Sequence, residues 1–563
     1  MTARLVTSLV TFLVTVALAA GAAHAQHAHD QESHETESAP PLLDGLGDHQ
    51  MPITASAEAR PYFDQGLMLV YGFDHHEAAS AFQEAIRLDP ECAMCHWGLA
   101  LALGPHINAP MAAEVVDVAH GAIDSALTLA GNVTDRERAY IEALSTRYTS
   151  DPTADRSTLD RAYADAMREL SAAFPDDLDA ATLFAEALMI LMPWDYWASD
   201  GTPRPATVEL LAVLEGVMER DPYHPGANHH YIHAVEASDR PERAEAAADR
   251  LVELDIQIGH MVHMPSHIYA RVGRWHDATT ANERAVDVDR AHFAAVEAEG
   301  LVPALYHPHN LHFLAWTAGM EGRSDLALQA AAETAEAAFA ELAHDVLLFN
   351  SFLTMPVQTL VRFEAWPEIL AGGPREGAHA FETAVWHYAT GRALVAVGEL
   401  DAARTEARSL AAVVEAPDAT DMEQPEAFFP GLTMLQIAQD VLDAHLARAE
   451  GDVDTALASL ESAVTSHDAL PYFEPPHWFV SPRIDLGWML LEAGRASDAE
   501  GVFRDDLEVY AENGWALYGL AEALLAQGAD AEAAEVQARF EEAWRHADVA
   551  AMPGAVEIGA TRP

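Results

Sequence analysis

The chain has 563 residues, with 31 basic against 89 acidic side chains and a formal net charge of −58. Such a surface repels nucleic acid and anionic lipid and attracts cations. Lysine is absent throughout, which excludes Schiff-base, P-loop and serine–lysine chemistry.

Residues 1–25 read as a secretory signal: Arg4, an apolar run from Leu5 to Ala20, then Ala23-His24-Ala25 as a cleavage site. The apolar run is short, so cleavage is expected rather than anchoring. No later stretch approaches a membrane span. The mature chain is therefore expected to be exported, to a bacterial periplasm. Residues 26–55 are polar, acidic and dotted with histidine, and read as a disordered leader.

From residue 56 to about 550 the pattern is helical and repetitive, and residues 551–563 read as a flexible tail. Gly66, Ala78, Phe82, Ala85 and Pro90 fall at positions 8, 20, 24, 27 and 32 of a 34-residue unit starting at Ala59, the tetratricopeptide spacing. Small residues at 8 and 20 let paired helices approach, and proline at 32 ends the second helix. Clear units restart at Pro225, Gly259 and Pro308, and further ones near Ala384, Ile437, Val480 and Gly514. Strand-like alternation is absent. The expected fold is an all-α tetratricopeptide-repeat solenoid, a right-handed superhelix with a groove lined by the first helix of each repeat.

Cys92-Ala-Met-Cys95-His96 is the only cysteine motif. An oxidising compartment allows a disulfide there, or a thiolate pair on a metal. As written it is also the c-type haem attachment motif, ranked below those two. Two aromatic stretches interrupt the repeats: Trp194, Tyr196 and Trp197, and Tyr472, Phe473, Trp478 and Phe479. Each reads as a lid over the groove or as packing in an irregular joint.

Motifs such as FDQGLMLVYGFDHHEAASAFQEAIRLDPECAMCHWGLALALGPHINAP, NHHYIHAVEAS, HMVHMPSHIYARVGRW and YHPHNLHFLAW resemble a family of exported bacterial tetratricopeptide-repeat proteins. That family is distantly similar to the eukaryotic tetratricopeptide repeat protein 38 type. The resemblance covers nearly the whole mature chain. It implies the fold and supplies no activity.

The strongest functional signal is histidine. His229, His230 and His233, then His260, His263 and His267, then His307, His309 and His312 form three short blocks. In a tetratricopeptide repeat, positions 2, 5, 9 and 12 of the first helix face the groove. With starts at Pro225, Gly259 and Pro308, those positions take His229, His233 and Glu236; His260, His263 and His267; and His309 and His312. Neutral imidazoles three or four residues apart suit zinc, copper or iron. The competing expectation is a polar floor of histidines that hydrogen-bond Tyr231, Tyr269, Tyr306 and backbone carbonyls, holding a peptide, protein or small molecule without metal. Pro265 kinks or restarts its helix, which leaves His260 and His263 in a loop just before it. The pattern names no reaction: GxSxG, HExxH and glycine-rich phosphate loops are absent.

Overall fold

Two phenylalanines show how the repeats stack. A Cβ placed on Gly66 or Gly98 would come within 2.7 and 2.3 Å of the Phe82 ring, so both helices must offer it bare backbone. Gly487 and Gly519 do the same for Phe503, at 2.4 and 2.3 Å. In both places the glycines lie sixteen residues before and after the aromatic. Gly519→Ala is therefore expected to cost about 1–3 kcal/mol through overpacking. Gly501→Ala, with nothing within 4 Å, is expected to gain about 1 kcal/mol of helix propensity. Paired thermal melts check both signs.

The computed structural model describes residues 39–151, 154–425 and 428–549. The expected signal, residues 26–38 of the leader and the tail from residue 551 lie outside the described residues. Among the described residues the chain divides into two compact units, residues 39–268 with 283–307, and residues 269–282 with 308–549.

The first unit holds α1 (Arg60–Tyr71), α2 (His75–Leu88), α3 (Ala93–Ala102), α4 (Val116–Leu129), α5 (Asp135–Ser145), α6 (Arg156–Ala173), α7 (Leu178–Ile190), α8 (Pro205–Arg220), α9 (Pro225–Val235), α10 (Glu245–Leu254) and α11 (Gly259–His263). Consecutive helices pack on one another through buried stripes of alanine, leucine and aromatic side chains. Local chemistry sets the starts. Thr134 and Glu137 form a capping box at α5, Asp177 caps α7 through the Ala180 N–H, and Pro205 and Pro225 open α8 and α9. The division passes through α12 (Pro265–Arg271), α13 (Trp275–Ala295) and α14 (His307–Met320).

The second unit continues with α15 (Ser324–Ala337), α16 (Phe349–Arg362), α17 (Trp366–Ala371), α18 (Ala380–Ala396), α19 (Leu400–Val414), α20 (Gly431–Glu450), α21 (Val453–Asp468), α22 (Pro482–Glu492), α23 (Ala496–Val509), α24 (Gly514–Ala526) and α25 (Asp530–Ala543). Its core runs through Phe381, Leu410, Leu442, Leu460, Phe503 and Leu520.

Most paired helices are joined at a left-handed residue. Gly273, Gly322, Gly398, Gly451, Gly494 and Gly528 take φ of 72° to 85° there. Between α1 and α2 that position is Phe73, at φ 58°, where a side chain is disfavoured. These helix–turn–helix units make the chain an all-α repeat protein of the tetratricopeptide type.

Three expectations need correction. Residues 39–55 are not disordered: Leu46, Met51 and Ile53 are buried, and the Gly45 carbonyl accepts from the Gln257 N–H at 2.8 Å. A strap with three apolar anchors carries no helical period, so periodicity missed it. Among the described residues strand is present in one place, where Glu423–Gln424 pairs antiparallel with Phe429–Pro430. Pro265 restarts the helix, and His260 and His263 sit in the helical turn α11 rather than in a loop. Among the described residues no helix is long and apolar enough to cross a membrane.

Candidate metal centre

The predicted histidines divide between the units. His229, His233, His260, His263 and His267 belong to the first, with Glu236; His309 and His312 belong to the second. The first five are all buried, against the ordinary preference of imidazole for partial exposure.

Hydrogen bonding fixes the tautomers of His229 and His233. The His229 Nδ1 lies 2.5 Å from the Tyr71 carbonyl oxygen, which can only accept, so Nδ1 carries the proton and Nε2 a lone pair. That Nε2 has no hydrogen-bond partner among the described residues. The His233 Nδ1 donates to Glu236 Oε1 at 3.1 Å, leaving its Nε2 lone pair 3.3 Å from the His260 Nε2. Ligand atoms of His229, His233 and His260 all lie within 4.8 Å of one another. With metal–nitrogen bonds of about 2.0–2.1 Å, a 3.3 Å separation subtends about 107° at an ion, close to tetrahedral.

Glu236 was expected among the ligands. Its Oε1 accepts from the His233 Nδ1–H at 3.1 Å, and its Oε2 lies 3.1 Å from the His267 Nδ1. A carboxylate there orients imidazoles toward a metal. The Tyr231 hydroxyl donates to Glu215 at 2.7 Å and the Tyr306 hydroxyl accepts from Asn108 at 3.1 Å, while the backbone-carbonyl contact of the polar floor is present between His229 and Tyr71.

Burial keeps His229, His230 and His233 neutral, the state in which an imidazole ligates. Desolvation pushes His229 down to about 4, aided by nearby His267 and opposed by the Tyr71 carbonyl. His230 and His233 are driven well below the usual range by burial first, then by His229.

Phe73 occupies the middle of this chamber. Its ring centroid lies 4.7 Å from His229, 5.2 Å from His106, 5.6 Å from His230, and 5.7 Å from both His233 and His260. Trp194, also at positive φ (62°), meets the His233 ring edge-on at 5.3 Å and donates its indole N–H to the Ile107 carbonyl. Trp197 donates to the Ala234 carbonyl at 2.8 Å, and Tyr196 is buried. The first aromatic stretch thus packs on the histidine helix itself. Phe73 was not singled out from sequence; its signal was an aromatic at a turn position where six other helix pairs use glycine.

A second cluster, His49, Asp179 and His224, also brings ligand-type atoms within 4.8 Å. Tautomers argue against metal here. The His224 Nδ1 accepts the Ala227 N–H at the start of α9, so its proton is on Nε2, facing Asp179 Oδ1 at 3.4 Å. Tyr71 Oη donates to the same oxygen at 2.7 Å, and His49 Nε2 lies 2.8 Å from it. Burial works to raise the Asp179 carboxyl, but the hydrogen bonds from His224 and His49 outweigh it and hold it far below the usual range. This is a hydrogen-bonded tie between the residue 39–55 strap, α1, α7 and α9.

In the second unit His309 is half-buried beside Phe313, and His312 is buried against Phe352. Burial, then nearby His477, pushes His312 down to about 3. Around the second aromatic stretch, Trp478 meets Tyr388 edge-on at 5.3 Å and Phe473 stacks on His477 at 4.5 Å. Cys92 and Cys95 are joined in a disulfide, both sulfurs buried at the start of α3, so neither is left as a thiolate ligand or for a thioether bond. His96 is turned outward onto the Pro90 carbonyl.

No family model and no curated protein matches the sequence. Among solved structures, the Cut9–Hcn1 hetero-tetramer of the APC/C is similar at 14% identity, over 90% of this chain and 79% of that one, with a TM-score of 0.28. The human IFIT1 dimer with m7Gppp-AAAA follows at 12% identity over 87% and 91%, with a TM-score of 0.29. Yeast Tom70 is 12% identical over 86% and 90%, with a TM-score of 0.25. The fold assignment rests on the helix pairs and their turns, not on these scores.

Proposed function

We propose that this chain is an exported tetratricopeptide-repeat protein that binds a transition-metal ion, zinc, copper or iron, through His229, His233 and His260. One observation carries the reading. The buried His229 Nε2 has no hydrogen-bond partner among the described residues, and it is a lone pair beside two further imidazole nitrogens. An unpaired buried lone pair is costly unless something electrophilic meets it. A three-histidine set leaves a fourth position for water or a ligand, where a bound ion acts as a Lewis acid. The net charge of −58 favours cation capture. The repeat scaffold suits a protein, peptide or small-molecule partner as well, bound along the groove.

The test is metal analysis of the purified full chain beside a His229→Ala/His233→Ala variant. The wild type is expected to retain at least one transition-metal ion after dialysis, and the variant to lose it while keeping its helical circular dichroism. Equal metal content in a folded variant would sink the reading.

A further inference from the structure

Glu236 joins two pairs of histidines. Its Oε1 accepts from the His233 Nδ1–H at 3.1 Å, and its Oε2 lies 3.1 Å from the His267 Nδ1 without an aligned hydrogen bond, so the carboxylate's charge favours the proton on Nδ1 and the lone pair on Nε2 in both rings. The His267 Nε2 then meets a second imidazole nitrogen, the His263 Nε2, at 2.9 Å. The first unit therefore contains the same arrangement twice. One histidine is oriented by Glu236, and its Nε2 faces the Nε2 of a neighbour, His260 in one case and His263 in the other.

We propose that His263 and His267 hold a second transition-metal ion next to the first, and that Glu236 is the positioning residue that keeps both pairs in the ligating tautomer. This rests on the reading of His229, His233 and His260 as an ion site. At bond lengths of about 2.0–2.1 Å, nitrogens 2.9 Å apart subtend roughly 90° at an ion, an angle of octahedral or tetragonal coordination. The remaining positions go to solvent or further ligands. The competing arrangement is an ordinary hydrogen bond, His263 Nε2–H to His267 Nε2, with the His263 Nδ1 accepting from Ser266 Oγ at 3.4 Å. It predicts one ion, not two.

Glu236→Gln probes the positioning role. A carboxamide has one acceptor oxygen and one NH2, so only one of the two rings keeps an acceptor for its Nδ1–H. The other meets a donor, must place its proton on Nε2, and ceases to ligate. Loss of such a carboxylate partner typically weakens metal binding by about 10–100-fold.

The experiment is titration of Co2+ into the metal-free full chain, read by native mass spectrometry and visible absorption, with imidazole 15N shifts reporting the tautomers. Two ions are expected in the wild type, one in His263→Ala/His267→Ala, and one in His229→Ala/His233→Ala. Glu236→Gln is expected to show a tautomer change in one ring and affinity lowered about 10–100-fold for the ion that ring ligates. A wild-type stoichiometry of one, unaltered by His263→Ala/His267→Ala, overturns the second ion and leaves the first standing. A stoichiometry of zero overturns both. Wild-type tautomers and affinity in Glu236→Gln overturn the positioning role alone.

Discussion

Acidifying the metal-free protein from pH 7 to 4.5 is expected to cost about 3 kcal/mol of stability at each of His312 and His477. Both are buried in the second unit, and burial is the main reason each is pushed down to about 3 from the ordinary 6.5. Above pH 6.5 each is neutral whether the chain is folded or unfolded, and contributes no pH dependence. Below it the unfolded chain takes up a proton that the folded chain refuses, so stability falls with falling pH by about 1.4 kcal/mol per unit per group. The loss levels off near the folded value of about 3. His477→Phe isolates one contribution, since the ring already stacks on Phe473 at 4.5 Å and a phenyl can take its place. Urea midpoints at pH 7 and 4.5 should differ by about 3 kcal/mol less in the variant than in the wild type. An unchanged difference would show that His477 takes its proton without unfolding.

Asp179→Ala is expected to destabilise the first unit by about 3–5 kcal/mol, among the largest effects of any single substitution in this chain. The carboxylate is buried, and one oxygen takes the Tyr71 hydroxyl and faces His49 and His224. Removing it leaves those donors in a medium that cannot replace the acceptor. It also releases Tyr71, whose backbone carbonyl fixes the His229 tautomer, so metal retention should weaken along with stability. Asp179→Asn keeps one acceptor oxygen and should cost less. Thermal melts and metal content of the two variants check the order; an alanine variant as stable as the asparagine one would remove Asp179 from this role.

The repeat architecture was legible because it is written in periodic, local chemistry. Small residues recur at helix contacts, glycine recurs at the turns, and proline or aspartate opens the helices. Helices begin at Pro225, Gly259 and Gly514, where the repeat phase put them. The histidines were legible as a face, since three- and four-residue spacing aligns side chains on a helix. Their partition was not. That His309 and His312 fall in a different unit from the others depends on how repeats associate, which no spacing reports. Glu236 was legible as a groove residue but not as the hydrogen-bond acceptor behind the His233 ring, because that role depends on which nitrogen the ring presents. The strap at residues 39–55 escaped because three anchors in an extended segment leave no period. His49 and Asp179, 130 residues apart, could be joined only in three dimensions.

Phe73 has a consequence for how this chain can be rebuilt. The turns at Gly273, Gly322, Gly398, Gly451, Gly494 and Gly528 are built alike, so averaging their sequences would yield an interchangeable cassette. Consensus redesign or duplication of repeats can draw on those cassettes freely. Applied between α1 and α2, the same averaging would write glycine at residue 73, relax the backbone, and empty the middle of a chamber walled by five imidazoles. The most regular version of this protein would thus be an improved scaffold without its chamber, and the irregular turn marks where modular reuse of the repeats has to stop.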